Sequence, residues 1–146
     1  MKQQHTVIAG AGIMGASLAQ VYAQAGWRVT LWNRSESGLE RAKNLIALNQ
    51  ECLIKSELLS AEASGTLLEN IAYSTSKDTM RDCDLILENI VEQMEEKQAF
   101  WEWASRLAPE EALLASNTSG LRITEMAKPV HRPERFMGQH WLNPPH

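Results

Sequence analysis

Gly10-Ala11-Gly12-Ile13-Met14-Gly15 has the spacing G-x-G-x-x-G, which offers phosphate a main-chain cradle. Gly10 permits a tight turn out of a strand. Gly12 lets a pyrophosphate approach the backbone, and Gly15 lets the next helix lie close on a sheet. Free N–H groups and a partial positive charge at that helix start would face the anion. The context supports this reading over a plain turn. The apolar run His5-Thr6-Val7-Ile8-Ala9 precedes the glycines, and Met14, Leu18, Val21 and Ala25 follow at helical spacing. Asn33 stands 18 residues beyond Gly15, near where such folds use an acidic residue to hold an adenosine ribose, and Arg34 follows it. A simple polar turn after a strand is the competing reading of Asn33.

These residues need a scaffold, and the chain spells one out as alternating elements. Strands are predicted at His5–Ala9, Arg28–Trp32, Ile71–Ser74, Asp84–Glu88, Ala112–Ala115 and Arg135–Trp141. Between them, a first helix runs to about Ala25 and stops at Gly26. Ser37 and Glu40 have capping-box spacing at the start of a second helix, with Leu39, Ala42, Ile46 and Leu53 on one face. Residues 56–70 look helical without a clear stripe. Phe100, Trp103, Ala104 and Leu107 mark a helix ending near Pro109, and a short helix covers about Ile123 to Ala127. Such alternation implies an α/β fold: a Rossmann-type, doubly wound, mostly parallel sheet with helices on both faces, forming one domain over residues 1–146. Ligands bind at the carboxyl edge of such sheets. Gly10, Asn33, Glu88 to Glu92, Ser116 to Ser119 and His140 to Asn143 all fall there.

Composition narrows the function. The 146 residues are 44% hydrophobic and 22% charged, with a net charge of −4 and no run of Lys or Arg. Nucleic acid and anionic membrane surfaces are therefore poor partners. Cys52 and Cys83 form no CxxC pair, which leaves reduced thiols rather than zinc or a disulfide framework. No metal site is expected. The apolar N-terminal run is too short for a signal core or a membrane span, so the chain reads as cytoplasmic. His5, His131 and His146 read as structural, and Met94, Trp101 and Trp103 as packing.

Ser116-Asn117-Thr118-Ser119, His140-Trp141-Leu142-Asn143-Pro144, the glycine loop, Glu92 and Lys97 together resemble the NAD-binding domain of the 3-hydroxyacyl-CoA dehydrogenase family. The resemblance covers nearly the whole chain. It implies NAD-dependent interconversion of L-3-hydroxyacyl-CoA and 3-oxoacyl-CoA. It further implies His140 as catalytic acid/base and Ser119 as hydrogen-bond donor to the substrate oxygen beside the nicotinamide. Asn143 would contact the nicotinamide side, and Glu92 and Lys97 the nicotinamide ribose region. Glu92 and Lys97 also admit a solvated-surface reading, and Ser119 also suits a helix cap.

The chain departs from the family pattern in places. The family's histidine-orienting glutamate lies beyond the point where this chain stops. Its helical C-terminal domain, which closes over substrate and makes a homodimer, is absent from this chain. The family's coenzyme A contacts, a serine and a lysine on a helical hairpin, correspond here to Asn49 and Ser56, with Lys55 adjacent. Free 3-hydroxy acids, carnitine-like or sugar-acid, therefore stay open as substrates. A non-catalytic nucleotide-binding module is a further alternative. So is a β-hydroxyacid dehydrogenase with a catalytic lysine, although the Ser116–Ser119 and His140–Pro144 segments do not suit it. Asn33 and Arg34 tolerate NADP beside NAD.

Overall fold

A computed structural model describes residues 3–144; Met1, Lys2, Pro145 and the expected structural histidine His146 lie outside the described residues. Its strands are β1 (His5–Ala9), β2 (Arg28–Trp32), β3 (Ile71–Ser74), β4 (Leu85–Glu88), β5 (Leu113–Ser116) and β6 (Phe136–Gly138). Its helices are α1 (Ile13–Gln24), α2 (Glu36–Lys55), α3 (Ala61–Glu69), α4 (Met94–Leu107) and α5 (Ile123–Met126). The sheet order is β3-β2-β1-β4-β5-β6, and every pairing is parallel. The order reverses between β1 and β4, which opens a crevice at their carboxyl ends.

Side chains of a strand alternate between the two faces of the sheet, and here both faces are covered. Ile8, Leu31, Leu87 and Ala115 meet Ala16, Leu18 and Ala19 of α1, Leu39, Ala42 and Ile46 of α2, and Leu67 of α3. Val7, Ala9, Ile86 and Leu114 meet Phe100, Trp101 and Ala104 of α4, with Met80 and Met126. Trp101 is fully buried, and Trp103 leans on Trp32 and Phe100, so both serve packing as expected. Between the helices of the first face a polar seam is closed internally. Gln50 donates to Gln20 at 2.7 Å, and Ser64 donates to Gln50 at 2.8 Å. His5 is structural too: its Nε2 lies 2.9 Å from Thr30 Oγ1, and its Nδ1 faces the Asp82 carbonyl.

Three expectations are corrected. The cap of α2 is Ser35, whose Oγ accepts from Gly38 N at 3.3 Å, and not Ser37. The Asn33 amide sits where a Gly38 Cβ would be, at 2.1 Å, so the chain turns into the helix straight from β2. Residues 56–70 are not one helix. Leu58 N bonds to Leu53 O and Glu57 N to Ile54 O, with Glu57 left-handed at φ 57°, which is a Schellman stop. Ser60 then caps α3 by accepting from Ala63 N at 3.1 Å. The last strand pairs only over Phe136–Gly138, because the chain beyond leaves the ladder for side-chain partners in the site. Every strand pairing among the described residues is parallel, in keeping with the expected Rossmann-type sheet.

Candidate active site

The glycine loop leaves β1 at Gly10, whose φ of 104° suits glycine. A Cβ there would stand 2.5 Å from the Asn89 carbonyl oxygen, so the loop after β4 lies directly against the turn. A Cβ on Gly15 would meet the Gly10 oxygen at 1.8 Å, which is the close helix-to-strand approach expected of the third glycine. Gly12 differs: nothing lies within 4 Å of its Cβ position. Gly12 is also the N-cap of α1 and offers no side chain to that helix's first amides. Open space over free N–H groups is what a pyrophosphate needs, and Gly10, Ala11, Gly12, Ile13, Met14 and Gly15 fit a dinucleotide on that ground.

Asn33 lies beside this loop. Its Oδ1 accepts from Ala11 N at 3.4 Å, and its Nδ2 donates to Ser35 O at 3.1 Å and Ser35 Oγ at 3.2 Å. It is thus more than a solvated turn residue: it links the glycine loop to the start of α2. Arg34 points outward, with its guanidinium 3.9 Å from Glu96.

Across the crevice, the ends of β4, β5 and β6 carry the second constellation. Ser119 Oγ lies 3.2 Å from His140 Nε2, which brings the two expected catalytic side chains together from different strands. The loop bearing Ser119 is held by Glu92. Its Oε1 accepts from Thr118 Oγ1, from Ser119 N at 2.9 Å and from Gly120 N at 3.4 Å. Burial pushes the Glu92 carboxyl up. The hydrogen bonds from Thr118 and Ser119 outweigh this, with Lys97, and hold it below the usual carboxylate range. His140 is placed through its neighbours. Gln139 N donates to Ser116 O at 2.9 Å, and Trp141 N donates to Asn117 Oδ1 at 2.7 Å.

Lys97 is not a surface cation. Its side chain is 1% exposed and its ammonium meets Glu88, the Ile90 carbonyl at 3.3 Å and Glu92 Oε2 at 3.3 Å. It lies one layer beneath Glu92. Asn143 borders a cavity of about 540 Å³ between α1, α2 and the turn after α2, together with Ile13, Ser17, Asn49 and Ser56. Lys55 is turned outward toward Glu51, at 3.9 Å. Sequence reasoning passed over Glu88, Asn89 and Asn117 as individuals. Asn117 Nδ2 donates to Asn89 Oδ1 at 2.7 Å, and Glu88 is fully buried. A glutamate closing the apolar run Leu85-Ile86-Leu87 was the available signal for the latter.

A phosphate cradle at the β1–β4 crevice and a Ser–His pair facing it define the nucleotide-binding domain of a dehydrogenase. Residues 5–146 match the family described as 3-hydroxyacyl-CoA dehydrogenase, NAD binding domain, and the chain belongs to that family. It is 34% identical to a probable 3-hydroxybutyryl-CoA dehydrogenase of Bacillus subtilis, over 99% of this chain and 50% of that protein. It is 33% identical to the mitochondrial hydroxyacyl-coenzyme A dehydrogenase of Homo sapiens, over 97% of this chain and 47% of that protein. Among solved structures, (S)-3-hydroxybutyryl-CoA dehydrogenase from Ralstonia eutropha superposes with a TM-score of 0.94 at 31% identity. That match covers 98% of this chain and 50% of the other. The chain thus spans about half the length of the curated relatives it matches. No helix among the described residues is long and apolar enough to cross a membrane.

Proposed function

We propose that this chain binds NAD along the glycine loop and serves an enzyme that interconverts L-3-hydroxyacyl-CoA and 3-oxoacyl-CoA. The observation that carries the reading is the 3.2 Å approach of Ser119 Oγ to His140 Nε2 at the carboxyl edge of the sheet. Oxidising a secondary alcohol removes a proton and a hydride, and NAD, when bound, supplies the hydride acceptor. His140 Nε2 takes the hydroxyl proton, a task suited to an imidazole because it exchanges protons near neutral pH. Ser119 Oγ donates to the substrate oxygen and steadies it between alcohol and carbonyl. Glu92 fixes the Ser119 main chain, and Asn143 flanks the nicotinamide end.

Two finer points belong to the same proposal. Asn33 lacks the charge that would repel a 2′-phosphate, and the exposed Arg34 guanidinium, held by a 3.9 Å surface contact with Glu96, lies at the same edge, so NADP is tolerated beside NAD. The cavity bordered by Asn49 and Ser56 has no Lys or Arg among its lining residues. That favours, as a second reading, a free 3-hydroxy acid over a substrate with a phosphorylated tail.

Titration with NADH and NADPH, beside acetoacetyl-CoA-dependent loss of NADH absorbance, tests the proposal. His140→Gln is expected to cut turnover by about 10²–10⁴-fold while cofactor affinity holds, since the pyrophosphate is gripped elsewhere. Equal loss of cofactor binding and turnover would show His140 to be structural. Absence of NADH binding by the unmodified chain would overturn the cofactor assignment.

A further inference from the structure

We infer that Glu88 is a positioning residue for the Ser119–His140 pair, acting through Lys97 and Glu92. This deepens the function proposed above and rests on its assignment of Ser119. Glu88 is the last residue of β4 and is fully buried. A buried carboxylate is costly unless every lone pair is used, and this one is well used. Oε1 accepts from the Lys97 ammonium and from Ile90 N at 2.8 Å. Oε2 accepts from Ser116 Oγ at 2.6 Å. One side chain therefore ties β4 to α4 and to the end of β5.

Both ties lead to the reacting groups. The Lys97 ammonium has three N–H groups and three acceptors: Glu88, Ile90 O and Glu92 Oε2. With Glu88 neutralising it from below, Lys97 holds Glu92 by one oxygen and leaves the other for Thr118, Ser119 and Gly120. The second tie passes through Ser116, whose carbonyl accepts from Gln139 N, next to His140. Charge alternates outward as Glu88, Lys97, Glu92, and the outermost carboxylate grips the Ser119 loop. Removing the Glu88 charge leaves the buried ammonium Glu92 as its one charged partner beside the neutral Ile90 carbonyl, and draws that carboxylate inward from the amides.

A fold-only role for the ion pair makes a different forecast, and a double variant separates the two. Glu88→Gln keeps the shape and removes one charge. Glu88→Gln with Lys97→Met removes both charges together, which spares the fold an unpaired ion. The readouts are the backbone amide resonances of Ser119 and Gly120, the melting temperature and NADH affinity. The double variant is expected to melt close to the unmodified chain. Both variants are expected to show displaced Ser119 and Gly120 amides and NADH binding weakened about tenfold. If Glu88→Gln fails to fold, the double variant carries the test. Ser119 and Gly120 amides at their unmodified positions in the double variant would overturn the inference and leave the pair a structural role. If the unmodified chain does not bind NADH, the cofactor assignment falls, while the amide resonances still decide the part played by Glu88.

Discussion

Gly12 and Gly15 are three residues apart in one motif, yet the structure separates their roles, so Gly12→Ala and Gly15→Ala should fail in different ways. A Cβ on Gly15 lands 1.8 Å from the Gly10 carbonyl oxygen and 3.6 Å from Ile8, and the nearer atom is main chain that cannot rotate away. Relief requires α1 to lift from β1 by more than an ångström, which strips contacts from the buried Ala16 and Ala19. Overpacking of this kind costs about 1–3 kcal/mol, and a backbone clash belongs at the upper end. For a domain of this size that lowers the melting temperature by roughly 10 °C. A Cβ on Gly12 meets nothing within 4 Å, and its φ of −75° suits alanine. The fold should lose no more than about 1 kcal/mol, the usual N-cap preference of glycine over alanine. The methyl would instead occupy the phosphate approach and weaken NADH binding by about 10–100-fold, or roughly 1.4–2.8 kcal/mol. Thermal melting with and without NADH, and a fluorescence titration, separate the two effects. If Gly12→Ala bound NADH as tightly as the unmodified chain, the phosphate would not sit over this loop.

Asn33→Asp places a charge where a 2′-phosphate would come and should raise the NAD-over-NADP preference about tenfold, read as the ratio of dissociation constants. An unchanged ratio would mean that Asn33 does not face the ribose. His5 has its pKa lowered by burial first and by Arg28 second, so the folded state resists its protonation. Its contribution is full above about pH 6.5 and declines as pH falls below that value. Melting temperature measured from neutral to mildly acidic pH should drop less steeply in His5→Gln, and parallel curves would refute the assignment. Glu57→Gly should stabilise the fold by about 1 kcal/mol, because the left-handed stop of α2 costs a non-glycine residue about that much. Chemical denaturation measures this, and no change or a loss would mean that the turn is held by more than its backbone.

The central strands were legible because β1 and β4 are buried along their whole length and read as short apolar runs. β1, β2 and β3 have the boundaries that their sequences predict. The stop of α2 was not legible, since Glu57 adopts a conformation its side chain does not favour and only the paired carbonyls behind it explain it. The end of β6 was also hidden. Arg135 to Trp141 has strand character throughout, but Asn117 offers a side-chain carbonyl that takes Trp141 N out of the ladder. In the candidate site, the glycine spacing and the serine and histidine segments were legible as following strands, and the structure brings Ser119 and His140 within 3.2 Å of each other. The surface alternative for Lys97 stayed open in the sequence because a lysine near a helix start ordinarily stays in water. Its burial depends on Glu88, a contact between residues nine apart that no local pattern encodes.

The sheet order carries a consequence for how the domain comes into being. β1 pairs with β2, only about a helix away in the chain, and also with β4, where Thr6 stands beside Leu85. An emerging chain can set β1, β2 and β3 side by side with α1 long before β4 exists. The phosphate loop is not finished at that stage, because its floor is the Asn89 carbonyl against Gly10. Closing so long a loop is entropically slow, and contacts of this separation form late. Nucleotide would then bind only to chains that have completed this closure and would shift the balance toward them by mass action. A bound nucleotide would therefore add to the stability of the closed domain by an amount that grows with its concentration.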